Sequence, residues 1–392
     1  MIDLAALTPA PGAAIDWAAI EDALAAIVPA AELAATPQDA GYHAEGDVWI
    51  HTRMALEALC ADPAWQAAEP AARAIVFAGV LLHDVGKPGT TRDEGGRITS
   101  RGHSALGERL VRSALYEAGV PFALREHVCA LVRWHQVPFF GIEKDAAEAA
   151  RLVARLSLVT RHDWLALVAA ADGRGRRCTD PRDQVRIVDN CALWRELAAE
   201  HGAADRPRAF PDDHTRVVYL ADERGTRAPD VPAYDDTAGE AFLLSGLPGA
   251  GKSTWLAGRP DLAVVSLDDL RDQLDVDHAD GQGPVIAAAR ERTREHLRSG
   301  RPFAWDATNL SRALRGNLIE LCRDYRFRVH IVYCEVPAAE QRRRNRARPA
   351  AQVVPAAVLA RMQRRWSVPA PDEAHSVTYV VEPGPGPAWP PR

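Results

Sequence analysis

The stretch AIVFAGVLLHDVGKPG, residues 74–89, is apolar for most of its length and then sets His83 beside Asp84, just ahead of Gly86 and Pro88. Its apolar residues fit a helix, and glycine followed by proline is a stop signal. A buried imidazole and carboxylate cost free energy unless something pairs with them. A metal ion is one such partner, so the stretch predicts a helical domain built around a metal site.

Other ligand-type residues fall on apolar helix faces of the same half. His51 lies in DVWIHTRMALEAL with Met54, Ala55 and Ala58 on its own face; His103 opens HSALGERLVRSAL and shares a face with Leu106 and Leu110. His135 follows Val128, Leu131 and Val132 by one or two turns, and Asp172 closes WLALVAAAD immediately before Gly173. The helical period holds from Trp17 to about Ala199, so this half reads as all-α. Imidazole with carboxylate suits Mn, Ni, Co, Fe or Zn better than Mg, which prefers oxygen ligands. Lys87 is placed to hold a substrate phosphate, with Arg174 and Arg176 as weaker candidates. His43, His127 and His162 fit no such order and read as structural.

The order His, His-Asp, His, His, Asp, with LLHDVGKPG at its centre, resembles the HD-domain metal-dependent phosphohydrolases over residues 40–200. That resemblance implies His51, His83, Asp84 and Asp172 as a four-ligand set. His103 and His135 extend it to a two-metal form bridged by Asp84. Two cations roughly 3.5–4 Å apart activate a water and clamp a phosphoester. Some helical domains with the same ligand order are dinuclear-iron oxygenases, which stands as a rival chemistry.

The pattern changes along the chain. Residues 1–204 form the helical domain, and 205–238, rich in Pro, Asp, Arg and Gly, reads as a connector whose TRVVYLA offers a short strand. From 239 to 382, the runs EAFLLSG, DLAVVSLDD, RPFAWDATN and FRVHIVYCEV alternate with helical segments such as PVIAAARERTREHLRSG. That alternation predicts an α/β domain with a parallel sheet. The tail from 383 to 392, PGPGPAWPPR, is predicted to be disordered.

The first strand of this second half runs into LLSGLPGAGKSTW, which places Gly246, Gly251, Lys252 and Ser253 in the G-x-x-x-x-G-K-[ST] pattern between a strand and a helix. Backbone N–H groups of such a loop cradle phosphates at a helix N-terminus. Lys252 reaches the β- and γ-phosphates and Ser253 coordinates Mg²⁺, while Gly249 lets the backbone approach and Thr254 completes the nucleotide-binding set. The predicted cofactor is ATP or GTP with Mg. VVSLDDLRDQL then resembles the acceptor element of 5′-OH polynucleotide kinases, a similarity spanning roughly 240–380. It implies that Asp268 deprotonates the 5′-OH and Arg271 contacts the acceptor phosphate. WDATNLS resembles the next acceptor element, with Thr308 and Asn309; Ala307 stands where that family has its aspartate, and Asp306 lies one place earlier. EQRRRNRARP resembles the lid whose arginines clamp the transferred phosphoryl group, here Arg344 and Arg348. Arg361, Arg364 and Arg365 add local positive charge that a polyanion favours.

Together the halves are similar to the HD-Pnk family of nucleic-acid end-healing enzymes. The resemblance implies RNA or DNA ends as substrate, removal of a 2′,3′-cyclic phosphate, 2′-phosphate or 3′-phosphate, phosphorylation of the 5′-OH, and a ligase acting downstream. The alternatives are an HD nucleotidase or cyclic phosphodiesterase fused to a small-molecule P-loop kinase, and a non-catalytic nucleotide sensor.

Bulk properties agree with an enzyme of this kind. At 392 residues the chain is long for one core, and its net charge of −6 excludes a uniformly basic nucleic-acid coat. Six cysteines without a C-x-x-C pair argue against a zinc knuckle and against a secreted disulfide scaffold. No apolar run approaches the roughly 18 residues of a membrane span, and the N-terminus lacks the basic start of a signal peptide. The expectation is a soluble, cytoplasmic protein.

Overall fold

The computed structural model of the protein describes residues 2–276 and 281–383, so the predicted tail lies, beyond its first residue, outside the described residues. The chain divides into two compact units, the first ending at Ala209 and the second beginning at Phe210.

The first unit is helical. Its framework helices are α1 (Val48–Cys60), α2 (Pro70–Leu82), α3 (His103–Glu117), α4 (Phe122–Trp134), α5 (His162–Gly175) and α6 (Pro181–Glu200), with shorter helices between them. Local sequence sets several starts: Asp47 accepts from the Ile50 N–H at the head of α1, and Asp180 caps α6, whose first residue is Pro181. Between α2 and α3 a two-stranded antiparallel hairpin pairs Arg92 with Thr99 and Asp93 with Ile98.

Two glycines set how closely these helices approach. A Cβ at Gly175 would lie 2.5 Å from the Ala55 Cα, so only glycine lets α5 pack this tightly on α1. A Cβ at Gly86 would lie 2.0 Å from the His103 carbonyl oxygen. Gly86 therefore serves the approach of α3 more than the ending of a helix: α2 already ends at Leu82, and Gly86 has an ordinary φ of −83°. Asp172 also sits differently from expectation, because α5 continues past it to Gly175.

The second unit opens with a helix, α7 (Asp213–Ala221), where a short strand was expected. Asp212 accepts from the Thr215 N–H, and His214, Val217 and Leu220 recur at helical spacing on its buried side. β1 (Gly239–Ser245), β2 (Ala263–Ser266), β3 (Phe303–Asp306), β4 (Phe327–Glu335) and β5 (Ser376–Val381) form one parallel sheet in the order β2-β3-β1-β4-β5. β1 is central, with Leu243 opposite Trp305 on one side and Ile331 on the other. β5 is a strand the sequence reading did not name. Ala241, Leu243, Phe303, Val329 and Ile331 join the core of this sheet, and the end of β1 carries the glycine-rich loop. Among the described residues no helix is long and apolar enough to cross a membrane.

Candidate metal and nucleotide sites

In the helical unit, the six expected ligand residues converge. His51 comes from α1, His83 and Asp84 follow α2, His103 opens α3, His135 caps α4 and Asp172 lies in α5. All six are at most 5 % exposed. Two triads form, His51 with His83 and Asp172, and Asp84 with His103 and His135; within each, donor atoms lie within 4.8 Å of one another. Asp84 stands between them, with Oδ2 at 3.1 Å from His83 Nε2 and Oδ1 at 3.3 Å from His103 Nε2.

Which ring nitrogen carries the proton follows from the outer contacts. The Nδ1–H groups of His83, His103 and His135 donate to the carbonyls of Val80, Ser100 and Val132, at 2.7, 2.8 and 2.9 Å. A carbonyl only accepts, so in each neutral ring Nε2 is left as a lone pair facing inward. Those lone pairs meet in the centre: His83 and His51 Nε2 are 3.3 Å apart, as are His103 and His135 Nε2. Facing lone pairs beside carboxylate oxygens repel unless a cation lies among them. Neither Asp84 oxygen has an aligned hydrogen bond among the described residues, and Asp172 Oδ2 has none. Buried carboxylate oxygens left without a hydrogen bond cost free energy, so the donor set fits bound divalent metal.

Two cations border the centre. Lys87 Nζ is 2.7 Å from Asp84 Oδ2 and donates to Gln38 Oε1 at 2.6 Å. Arg176 pairs with Asp172 Oδ1 and stacks on Phe139. Arg174 instead faces Asp62, at 2.6 Å. Burial would raise the carboxyl pKa values, but His83 and Lys87 hold Asp84 well below its usual range, and Arg176 and His51 do the same for Asp172. Burial and the neighbouring imidazoles push His135 down to about 3; burial also lowers His103. Burial opposes charge on His83 too, yet Asp84 and Asp172 overcome it and raise its pKa.

The sequence reading missed Gln38 and Glu45, which come from the loop before α1. Glu45 Oε1 is 2.8 Å from His43 Nδ1 and 3.0 Å from His51 Nδ1, which brings His43 beside the site. His127 and His162 stay outside it: His127 packs edge-on against Trp164, and His162 donates to the Val153 carbonyl while its Nδ1 accepts from Trp194 Nε1.

In the second unit the glycine-rich loop leaves β1 and enters α8 (Lys252–Ala257). Gly246, Gly249 and Gly251 have φ of +148°, +81° and +105°, a region open to glycine. A Cβ at Gly246 would lie 2.3 Å from the Cys334 carbonyl oxygen. Lys252 Nζ donates to the carbonyls of Gly246 and Leu247, at 2.9 and 3.2 Å. Burial lowers its pKa against the pull of Asp306 and Asp268. Ser253 and Thr254 are exposed on the first turn of α8.

Asp268 and Arg271 lie on α9 (Leu267–Gln273) and pair at 2.5 Å, with the Asp268 side chain 71 % exposed. Arg271 also donates to Gln282 at 2.9 Å. α10 (Gly283–Ser299) follows, then β3, whose last residue is Asp306; burial, with Asp268 and Asp269 nearby, raises the Asp306 pKa although Lys252 opposes. The Thr308 carbonyl accepts from the Gly246 N–H at 3.0 Å. Asn309, at φ +42°, donates through Nδ2 to the Leu244 carbonyl at 2.7 Å. Its amide therefore pins the acceptor loop to β1. Arg315, on α11 (Arg312–Asp324), holds the same loop by donating to the Asn309 carbonyl at 3.0 Å.

α12 (Ala338–Arg346) lies over the glycine-rich loop: Gln341 Nε2 donates to the Pro248 carbonyl at 2.7 Å, and a Cβ at Gly249 would touch Arg344 Cβ at 3.3 Å. Arg344 donates to Glu340 and Glu382, at 2.6 and 2.9 Å, and Arg348 is near enough to act on both Lys252 and Asp306.

Comparison with known proteins matches both units. Residues 48–184 match the family model of the HD domain, and residues 242–369 match the AAA domain, in its AAA_33 form. The chain is similar to the multifunctional CCA protein of Halorhodospira halophila, 32 % identical over 174 residues, covering 43 % of this chain and 40 % of that protein. It is also similar to the protein of the same name from Cupriavidus taiwanensis, 30 % identical over 201 residues, covering 50 % of this chain and 45 % of that one. The chain thus spans less than half the length of these relatives. Among solved structures, a putative kinase from Chloroflexus aurantiacus aligns at TM-score 0.32 and 18 % identity over 38 % of this chain and 88 % of that one. A sugar kinase from Janibacter sp. aligns at TM-score 0.29 and 19 % identity, over 38 % of this chain and 87 % of that one. The protein is a helical HD domain, which implies a divalent metal, followed by a P-loop domain of the AAA_33 form with a five-stranded parallel sheet, which implies a nucleotide with Mg.

Proposed function

We propose that the protein heals broken nucleic-acid ends: the HD domain removes a 2′,3′-cyclic phosphate, 2′-phosphate or 3′-phosphate, and the P-loop domain phosphorylates the 5′-OH. The observation that carries the hydrolytic half is the meeting of inward imidazole lone pairs at 3.3 Å around Asp84, buried and aimed at one point. Divalent ions held by His51, His83, Asp84, His103, His135 and Asp172 would lower the pKa of a bound water and neutralise a phosphoester's developing charge. The chain's own contribution is to fix each ring through its carbonyl partner and to exclude bulk water. Lys87 and Arg176, held against Asp84 and Asp172, bring two cations to the border where a phosphate oxygen would sit.

In the kinase half, the loop amides and Lys252 hold the β- and γ-phosphates and Ser253 serves the Mg²⁺. Asp268 takes the proton of the attacking 5′-hydroxyl, and Arg271, already paired with it, orients the acceptor phosphate. Arg344 and Arg348 neutralise the transferring phosphoryl group from the side of α12. Thr308, through its backbone carbonyl, and Asn309, through its side-chain amide, shape the acceptor loop. Support for a nucleic-acid substrate comes from the exposed Asp268 carboxylate beside Arg271 on α9 and from the arginine-rich α12.

The test is a short RNA bearing a 5′-OH and a 2′,3′-cyclic phosphate, incubated with ATP or GTP, Mg²⁺ and either Mn²⁺ or Ni²⁺, each terminus followed separately. Both ends should change, and a mononucleotide acceptor should compete poorly with the oligonucleotide. A chain that phosphorylates only small molecules, or leaves the cyclic phosphate intact with every metal, would refute the reading. A ligase added afterwards should join the products.

A further inference from the structure

We propose that Glu45 is a positioning residue of the HD-domain metal centre, setting the ring orientation and tautomer of His51 and tying the loop before α1 to the chain segment beyond Asp172. This inference rests on the metal-centre reading above. Three of the four histidines have a backbone carbonyl on Nδ1, each three residues back in the chain. His51 differs: it lies inside α1, where the Val48 carbonyl three residues back accepts from the Thr52 hydroxyl at 2.8 Å. Its Nδ1 faces the Glu45 carboxylate instead, at 3.0 Å.

That carboxylate is 1 % exposed, and each of its oxygens is engaged. Oε1 accepts from His43 Nδ1 at 2.8 Å, and Oε2 accepts from the Arg177 N–H at 2.7 Å. The adjacent backbone repeats the tie, since Ala44 N–H donates to the Arg177 carbonyl at 2.8 Å. Arg176, one residue earlier, pairs with Asp172. The loop holding His51 Nδ1 is thereby fixed to the segment whose neighbour holds Asp172, and His51 Nε2 lies 3.1 Å from Asp172 Oδ1.

His43, Glu45 and His51 also come close enough to resemble a further metal triad. A metal there would need the His51 Nδ1 lone pair while Nε2 ligates the main centre, which demands a doubly deprotonated ring. The 2.8 Å separation of His43 from Glu45 is instead that of a hydrogen bond, and the His43 ring meets His51 edge-on at 4.6 Å. His51 Nδ1 forms no well-aligned hydrogen bond, because it shares Oε1 with His43. His43 is therefore a competitor for the carboxylate, and its removal leaves Oε1 entirely to His51.

The experiment uses the full chain, stripped with chelator and titrated with Co²⁺, reading affinity and the visible cobalt absorption; far-ultraviolet circular dichroism checks the fold. Wild type must first bind Co²⁺, since failure there would overturn the metal-centre reading itself. Glu45→Gln should then bind about 10- to 100-fold more weakly with an altered cobalt spectrum, the usual cost of losing an outer partner of a metal histidine. His43→Phe should keep the wild-type stoichiometry and bind at least as tightly; loss of one metal equivalent would overturn the assignment in favour of a third metal. Glu45→Asp withdraws the oxygen while keeping the charge, and serves if Glu45→Gln does not fold. A folded Glu45→Gln or Glu45→Asp with wild-type affinity and spectrum would overturn the proposal.

Discussion

Gly175→Ala adds one methyl group at the closest approach of two helices that carry metal ligands. The new Cβ would lie 2.5 Å from both the Cα and the N of Ala55. Carbon atoms pack best at about 3.5–4.0 Å, so α1 and α5 must separate by about 1 Å. His51 is one turn before Ala55 and Asp172 is one turn before Gly175, so the displacement falls directly on that ligand pair, now 3.1 Å apart. Metal–ligand distances tolerate only about 0.2 Å. Overpacking costs about 1–3 kcal/mol, while replacing a helical glycine with alanine returns about 1 kcal/mol. Net destabilisation should therefore be only about 0–2 kcal/mol, whereas metal affinity should fall on the order of 10- to 100-fold. Chemical denaturation and Co²⁺ titration measure the two effects separately. Gly316→Ala, in α11 with nothing within 4 Å of its new Cβ, is the control and should be neutral or slightly stabilising. A Gly175→Ala protein with wild-type metal affinity would refute the claim that this contact sets the ligand spacing.

Three further outcomes follow from the geometry. Asp84→Asn should abolish release of the terminal phosphate while 5′ phosphorylation continues, and Asp268→Ala should do the reverse, as read by end-specific labelling; loss of both activities from either change would contradict independent sites. Gly246→Ala, which forces a side chain into φ +148° and against the Cys334 carbonyl at 2.3 Å, should eliminate nucleotide binding measured by fluorescence titration. His162, lowered to about 4 by burial despite the Val153 carbonyl, stays neutral in the folded protein where the unfolded chain would take a proton. Its contribution is present above about pH 6.5 and is lost as pH falls toward 4, at up to about 1.4 kcal/mol per pH unit. Urea melts between pH 7 and 5 should show a shallower slope for His162→Asn, and an unchanged slope would count against this assignment.

What could be read from the sequence was whatever left a periodic or spaced trace. The metal ligands lie on apolar helix faces or at helix ends, so their positions follow from periodicity, and the glycine-rich loop follows a strand as its chemistry requires. Glu45 and Gln38 left no trace, because they come from an irregular loop and are residue types that usually face solvent. The segment around TRVVYLA shows two signals in conflict: its β-branched residues suggest a strand, but the Asp212 cap and the spacing of His214, Val217 and Leu220 decide for a helix. β5 was hidden behind PAPDEAH, whose prolines suggest a loop, although SVTYVV alternates as an edge strand should. Gly86 carried a misleading reason: like Gly175, which no sequence signal marked, it is required by close approach between helices, which no local pattern encodes.

Metal analysis of the purified chain before and after one substitution bears most directly on the central claim. Wild type, loaded with Mn²⁺ or Co²⁺ and desalted, should retain divalent metal, and His83→Ala should lose it while remaining helical. Equal metal content in the two proteins would contradict the account, because the inward-facing lone pairs would then have no cation to hold.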